Sequence, residues 1–242
     1  MHELKPRVLY EDNHLIVINK LPGELVQGDK TGDATLADLV QEYLREAYGK
    51  PGNVFLGVPH RIDRPTSGIV VYAKTEKALV RMNALFRVPD AVKKVYWAVV
   101  DKLPPVDEGE IVHYMTRDTT RNKSYASVEK RRQSQEARMT YRVVAASKSF
   151  YLLEIGLLTG RHHQIRAQLA AMGIHIKGDL KYGAPRSNEN GGIHLHAREI
   201  SFVHPVKRQT LTVKAVPPRD VVWDYLASVA SDPQDSVWSL TD

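Results

Sequence analysis

The spacing of apolar residues along the chain predicts four helices. The clearest covers residues 35–48, where Leu36, Val40 and Leu44 repeat at helical spacing. Thr35 is a candidate N-cap for this helix, and Gly49 follows its last residue. The other helices are predicted over residues 75–86, 159–173 and 220–230.

Short apolar runs between turn residues predict the strands. Residues 69–73 form a continuous apolar run, which is typical of a strand covered on both faces. Most runs are joined by short polar turns, which favours antiparallel pairing. Further strands are predicted over residues 8–20 (two strands), 95–100, 111–115, 125–128, 139–145, 151–157, 193–202 and 210–216.

These elements predict an α+β fold with a mixed, mostly antiparallel β-sheet core flanked by helices and loops. A chain of 242 residues, with no linker or repeat, suits one domain over residues 1–230 and a polar tail over 231–242. No apolar run approaches the roughly 18 residues of a membrane span, and residues 1–20 are too charged for a signal peptide. We therefore expect a cytoplasmic protein without membrane contact.

The amino-acid composition excludes some kinds of functional site and favours one kind of binding partner. The sequence has no cysteine, which excludes disulfides, thiolate nucleophiles and zinc–thiolate sites. The net charge of +6 favours an anionic partner such as nucleic acid. The charge is concentrated in residues 115–142, which carry eight basic and three acidic side chains. This segment predicts one positive face.

The polar stretch His60-Arg61-Ile62-Asp63-Arg64-Pro65-Thr66-Ser67-Gly68 directly precedes the buried strand at 69–73. Loops at the end of a rigid strand commonly hold catalytic groups. Neighbouring arginines favour the charged form of Asp63 and suit it to act as a nucleophile or base. Alternatively, Asp63 only caps the turn or pairs with an arginine.

A second stretch, Leu158-Thr159-Gly160-Arg161-His162-His163-Gln164-Ile165-Arg166, places bases and amide donors at a predicted helix N-terminus. Such a site favours phosphate or carboxylate binding, although histidines are more often simply exposed or hydrogen bonded. In the third stretch, Lys93-Lys94-Val95-Tyr96-Trp97, strand alternation puts the two aromatic residues on opposite faces. One of them is then free to face a cleft.

Taken together, these motifs closely resemble the RluA family of RNA pseudouridine synthases. Residues 60–68 are similar to the family signature HRLDxxTSG. Residues 158–166, followed by Gly178-Asp179 and Tyr182-Gly183, resemble its second block, LxTGRxHQIR and GDxxYG. Lys94-Val95-Tyr96 matches a KxY element, and the resemblance spans residues 8–217.

The resemblance implies a pseudouridine synthase fold with a basic RNA-binding cleft. It makes Asp63 the catalytic aspartate, Tyr96 the aromatic residue that stacks on the target uracil, and Arg166 the partner of Asp63. Arg61 would hold or replace the displaced nucleotide. The implied reaction turns uridine into pseudouridine without a cofactor or metal. The implied substrate-binding set is Arg61, Thr66, Arg161 and Gln164.

The chain departs from the family pattern in two places. Leu21 stands between Asn19-Lys20 and Pro22, where proline usually follows directly, and Gln27 stands where histidine is frequent. Several relatives also carry an S4-like RNA-binding module ahead of the catalytic domain. We expect none here, so that a monomer would dock a tRNA or rRNA stem-loop by the catalytic domain itself, with residues 115–142 adding phosphate contacts.

Two other functions fit parts of the sequence. A metal-dependent hydrolase would use His162-His163 and His194-Leu195-His196, since imidazole is a common metal ligand. However, no acidic ligand lies close to them in sequence. A non-catalytic RNA-binding protein would explain the positive charge, but not an aspartate between arginines in the segment where phosphate would bind.

Overall fold

The computed structural model describes residues 3–28, 32–49 and 52–230. Among the helices in these ranges, none has the length and apolar composition of a membrane span. The predicted tail at 231–242 lies outside the described residues. The α-helices are α1 (Leu36–Tyr48), α2 (Glu76–Arg87), α3 (Gln164–Ala171) and α4 (Val221–Ala230), with short 3₁₀ turns at Lys5–Arg7 and Leu180–Tyr182.

The described strands are β1 (Val8–Glu11), β2 (Leu15–Lys20), β3 (Ser67–Ala73), β4 (Val92–Val100), β5 (Glu108–Asp118), β6 (Lys123–Ser127), β7 (Gln135–Ala146), β8 (Tyr151–Leu157), β9 (Leu195–Val203) and β10 (Thr210–Lys214). They form one ten-stranded sheet in the order β1-β2-β3-β9-β4-β8-β7-β5-β6, with β10 paired to β9. The β3–β9 pair is parallel, and the other pairs are antiparallel. The predicted α+β class with a mostly antiparallel sheet is therefore confirmed.

Two large apolar clusters hold helices α1, α2 and α3 on the sheet. One packs α1 and α2 against β2 and β3, and all seven positions of β3 are buried, as its continuous apolar run predicts. The other packs α3 against β4, β7 and β8. Helix α1 contributes Leu36, Val40 and Leu44, and burial of each side chain stabilises the fold by about 1.5–3 kcal/mol.

The parallel contact between β3 and β9 fixes the loop that precedes β3. Gly68 has φ +109°, and a Cβ there would collide with the backbone of Ala197 on β9. Beside it, the Ser67 hydroxyl and Nδ1 of His196 lie 2.9 Å apart. Glycine is required here because only it combines this backbone angle with so close an approach.

The helix predicted over 159–173 begins five residues later than expected, at Gln164. Oε1 of Gln164 accepts hydrogen bonds from the Arg161 amide (2.9 Å) and the Thr159 hydroxyl (2.7 Å), which holds the preceding residues as a loop. His163 caps the helix in the left-handed conformation, with φ 54°. His162 therefore lies before the helix that carries Arg166. The helix ends at Ala171, two residues before the predicted bound, and Gly173 follows it with φ +72°.

Candidate active site

A cavity of about 550 Å³ lies where the loop before β3, strand β4 and the loop before α3 meet. This volume is within the range typical of small-ligand sites. The three stretches singled out in the sequence therefore line one cavity. All seven predicted site residues line it: Arg61, Asp63, Thr66, Tyr96, Arg161, Gln164 and Arg166.

A buried guanidinium connects two carboxylates at this cavity. Nη1 of Arg166 lies 3.0 Å from Oδ2 of Asp63, and its Nε and Nη2 donate to the two carboxylate oxygens of Asp179 at 2.7 and 2.8 Å. Burial opposes the charged form, but the hydrogen bonds and charge of Asp179, together with Asp63, raise the pKa of Arg166. The guanidinium is thus permanently charged and fixed in orientation, and the Asp63 side chain is 25% exposed to the cavity.

The sequence neighbours of Asp63 do not supply its cation. Arg64 pairs with Asp33 at 2.9 Å and donates from Nε to the Gly23 carbonyl at 2.9 Å. Arg61 is exposed and lines the cavity. Within the described residues, the arginine that forms an ion pair with Asp63 is Arg166, 103 residues further along the chain.

Sequence reasoning missed the group that holds the backbone beside Asp63. The Lys20 side chain is fully buried, and its Nζ donates to the carbonyls of Leu21, Glu24 and Arg64, each at 2.9 Å. Burial lowers the pKa of Lys20 to about 7, against the opposing charge of Glu24. The signal available in the sequence was a lysine at the end of a strand, β2, that begins with four apolar residues.

His163 is a second neighbour of Asp63 that the predicted site omitted. Its Nε2 lies 3.6 Å from Oδ2 of Asp63, and its Nδ1 lies 2.9 Å from the hydroxyl of Tyr182. The His162 ring stacks on it at 3.8 Å. Burial lowers the pKa of His163 to about 3 despite the charge of Asp63, so the ring is neutral at physiological pH.

Tyr96 and Trp97 face opposite sides of β4, as alternation predicts. Trp97 is buried in a cluster with Trp223, whereas Tyr96 is half-buried and lines the cavity with Asp63. Burial and the charge of Asp63 raise the pKa of Tyr96. The phenol therefore stays protonated and offers a flat ring to the cavity.

The side chains of the remaining predicted residues, Thr66, Arg161 and Gln164, differ in how many hydrogen bonds they make within the protein. The Thr66 hydroxyl is buried and has no hydrogen-bond partner within the described part of the chain. Nε of Arg161 donates to the Glu136 carbonyl at 3.0 Å. The Gln164 side chain is occupied by the protein, since its Nε2 donates to the Arg138 carbonyl at 3.0 Å and its Oε1 accepts from Thr159 and Arg161. Gln164 therefore shapes the wall formed by residues 159–161.

The histidines considered as metal ligands have protein partners. His194 pairs with Asp220 at 3.0 Å and accepts from Asn188 at 2.9 Å. His196 bonds Ser67 and the Ala215 carbonyl. Across the ranges that the structure describes, no group of three or more histidine, aspartate or glutamate side chains is placed to hold a metal ion.

The basic segment 115–142 forms much of the β5–β6–β7 edge of the sheet. Part of its charge is balanced, because Arg138 pairs with Glu110 at 2.7 Å and Arg142 with Glu154 at 2.9 Å. The turn between β6 and β7 remains strongly positive. It exposes Lys130, Arg131 and Arg132.

Comparison with known proteins identifies the family. The sequence profile of the RNA pseudouridylate synthases matches residues 14–171, which contain Asp63, Tyr96 and Arg166. The chain belongs to the RNA pseudouridylate synthase family. An uncharacterised RNA pseudouridine synthase of Synechocystis is 33% identical over 87% of this chain, and the ribosomal large subunit pseudouridine synthase D of Zymomonas mobilis is 30% identical over 88%.

The aligned region covers 65% of the Synechocystis protein and 70% of the Zymomonas protein. Among solved structures, human RNA pseudouridylate synthase domain containing 4 superposes with a TM-score of 0.75 and 25% identity, over 94% of both chains. The family fold thus extends over nearly the whole chain, and the cavity around Asp63 is part of it.

Proposed function

We propose that this chain isomerises specific uridines to pseudouridine in structured RNA, tRNA or rRNA, with Asp63 as the catalytic carboxylate. The observation that carries the proposal is the Asp63–Arg166 contact of 3.0 Å at the wall of a cavity that Tyr96 also lines. Family membership supports the same reaction. A charged carboxylate beside a flat aromatic ring suits a base that has been taken out of its stack.

The reaction balances within the substrate. The N1–C1′ bond breaks, the uracil turns in the cavity, and C5 bonds to C1′ while its proton leaves and N1 gains one. Asp63 promotes the first step either by covalent attack, at C1′ or on the base, or by removing the C2′ proton. Each route uses a charged carboxylate of fixed orientation, which the contact with Arg166 supports.

The other side chains hold the substrate in this proposal. Tyr96 stacks on the target uracil. Because its phenol is protonated and cannot accept a proton, Asp63 is the better candidate for the base that removes the C5 proton. Arg61, exposed at the cavity, holds or replaces the displaced nucleotide. Thr66 and Arg161 contact the substrate. Gln164 acts indirectly, because its Oε1 accepts a hydrogen bond from the backbone amide of Arg161.

The cavity lining supports an RNA substrate. Five cations line it against a single carboxylate, that of Asp63: Arg61, Arg87, Lys94, Arg161 and Arg166. Such a lining favours a polyanion. The proposal is for an enzyme that acts as a monomer, and the proposed substrates place it in the cytoplasm.

Tritium release tests the proposal directly, because C5 loses its proton when it bonds to C1′. Transcripts of tRNA and rRNA labelled with tritium at uridine C5 would be incubated with the wild-type protein and with Asp63→Ala. We expect release by the wild type and none by the variant, with RNA affinity changed by less than about 1 kcal/mol, since a carboxylate adds little to phosphate binding. Equal release by both proteins would refute the role of Asp63.

A further inference from the structure

A second cavity, of about 410 Å³, adjoins the first. The two share the residues of their common wall, among them Phe86, Lys94 and Arg161. The groove therefore continues from Asp63 past Lys94 towards the turn after α2. A second ligand group covalently joined to the one beside Asp63 fits such a continuous groove.

The second cavity has one apolar wall and other walls that carry charged side chains. The apolar wall includes Phe86, Pro89 and Leu157, and the Phe86 ring is already stacked on His60 at a centroid distance of 4.7 Å. The other walls carry four cations and two carboxylates. The cations are Arg87, Lys94, Arg138 and Arg161, and the carboxylates are Asp90 and Glu136. A flat apolar wall next to net positive charge matches a nucleotide, with its base and its phosphate.

Lys94 lies at the junction of the two cavities. It is half-buried on β4, and its Nζ is 3.6 Å from the position that a Cβ on Gly160 would take. Its ammonium has no hydrogen bond or ion pair with any of the residues that the structure describes. Burial lowers the pKa of Lys94, so an anion at the junction would stabilise its charged form.

We propose that the second cavity binds the nucleotide next to the target uridine, and that Lys94 binds the phosphate joining the two. This inference rests on the proposed function, because it takes the first cavity as the uracil site. Lys94 is then a substrate-positioning residue. Phe86 supplies the apolar face for the neighbouring base, as aromatic rings do in other single-stranded sites.

A double-mutant cycle between Lys94 and single phosphates tests the proposal. The probe is a synthetic RNA hairpin with one uridine in its loop, carrying one neutral methylphosphonate linkage at successive positions. We expect neutralisation of one linkage flanking the uridine to weaken binding to the wild type about tenfold. The same linkage should cause no further loss in Lys94→Met, whereas distant linkages should weaken both proteins equally.

Two variants sharpen the result. Lys94→Arg keeps the charge and should restore the coupling, which excludes simple misfolding of Lys94→Met. Lys93→Met is the matched control, because Lys93 is exposed on the same strand and lines neither cavity. It should bind as the wild type does.

The outcomes separate the two proposals. Additive losses at both flanking linkages, or no binding of the hairpin by the wild type, would overturn the role of Lys94. Absence of tritium release from all RNAs would overturn the proposed function instead. With an active wild type, Lys94→Met should raise KM and leave kcat near its original value.

Discussion

Asp179 holds the guanidinium of Arg166 by two hydrogen bonds, of 2.7 and 2.8 Å, and thereby directs its Nη1 at Asp63. The Asp179 side chain is 1% exposed and the Arg166 side chain 5%. Because both groups are buried, their pairing fixes the cation far better than a surface ion pair would. Asp179 is therefore a positioning residue for the carboxylate that we propose as catalytic.

Asp179→Asn should disturb the orientation of the Arg166 guanidinium without weakening the binding of RNA. We expect kcat to fall about 100-fold through misplacement of Arg166, with KM nearly unchanged, and stability to fall on the order of 3 kcal/mol because a buried charge loses its partner. Single-turnover kinetics and urea unfolding measure the two effects. Asp224→Asn, which removes an exposed partner of Arg219, is the control. A loss confined to KM would contradict a positioning role.

The aromatic ring of Tyr96 should matter for binding more than its hydroxyl. Tyr96→Phe keeps the stacking surface, so we expect RNA affinity within about twofold of the wild type. Tyr96→Ala removes the surface and should weaken binding by roughly tenfold, since stacking on an aromatic ring contributes about 1–3 kcal/mol per base. Fluorescence anisotropy with a labelled hairpin measures both. Equal losses in the two variants would show that the hydroxyl, not the ring, binds RNA.

Much of this site was predictable because its motifs are local. The loop 60–68 could be placed before β3 because an apolar run followed it, and Tyr96 could be set opposite Trp97 by strand alternation. The contacts that orient Asp63 were not predictable from residue spacing. Lys20 reaches the loop across 44 residues, and Asp179, which orients Arg166, approaches it only in the folded chain.

Buried histidines should make the protein sensitive to acid. Burial lowers the pKa of His60, His163 and His196 to about 3 and that of His194 to about 4. The unfolded chain takes up these protons near pH 6.5, whereas the folded chain does not. The contribution of these neutral histidines to the free energy of unfolding is thus fully present above pH 6.5. It declines as the pH falls towards 4, by about 1.4 kcal/mol per pH unit for each group.

Urea unfolding between pH 7.5 and 4.5 measures this slope. His196→Gln removes one of the four groups, so its slope below pH 6 should be shallower than that of the wild type by about 1.4 kcal/mol per pH unit. A wild-type stability that is constant over this range would contradict neutral burial of these rings.

The turn between β6 and β7 should contribute electrostatic contacts to RNA. Changing Lys130, Arg131 and Arg132 to glutamine should reduce the slope of log affinity against log salt, by about 0.7–0.9 for each phosphate that the variant no longer neutralises. The control changes three exposed lysines outside both cavities, Lys77, Lys102 and Lys148. An unaltered slope in the first variant would place the RNA on another surface.

Mapping of pseudouridine in cellular RNA tests whether Asp63 is the carboxylate that forms pseudouridine. Total RNA would be compared between cells that carry the wild-type gene, a deletion, or Asp63→Ala expressed at the wild-type level. We expect the deletion cells and the Asp63→Ala cells to lose pseudouridine at the same positions, in tRNA or rRNA. If the Asp63→Ala cells keep every modified position that the deletion cells lose, the catalytic role of Asp63 is contradicted.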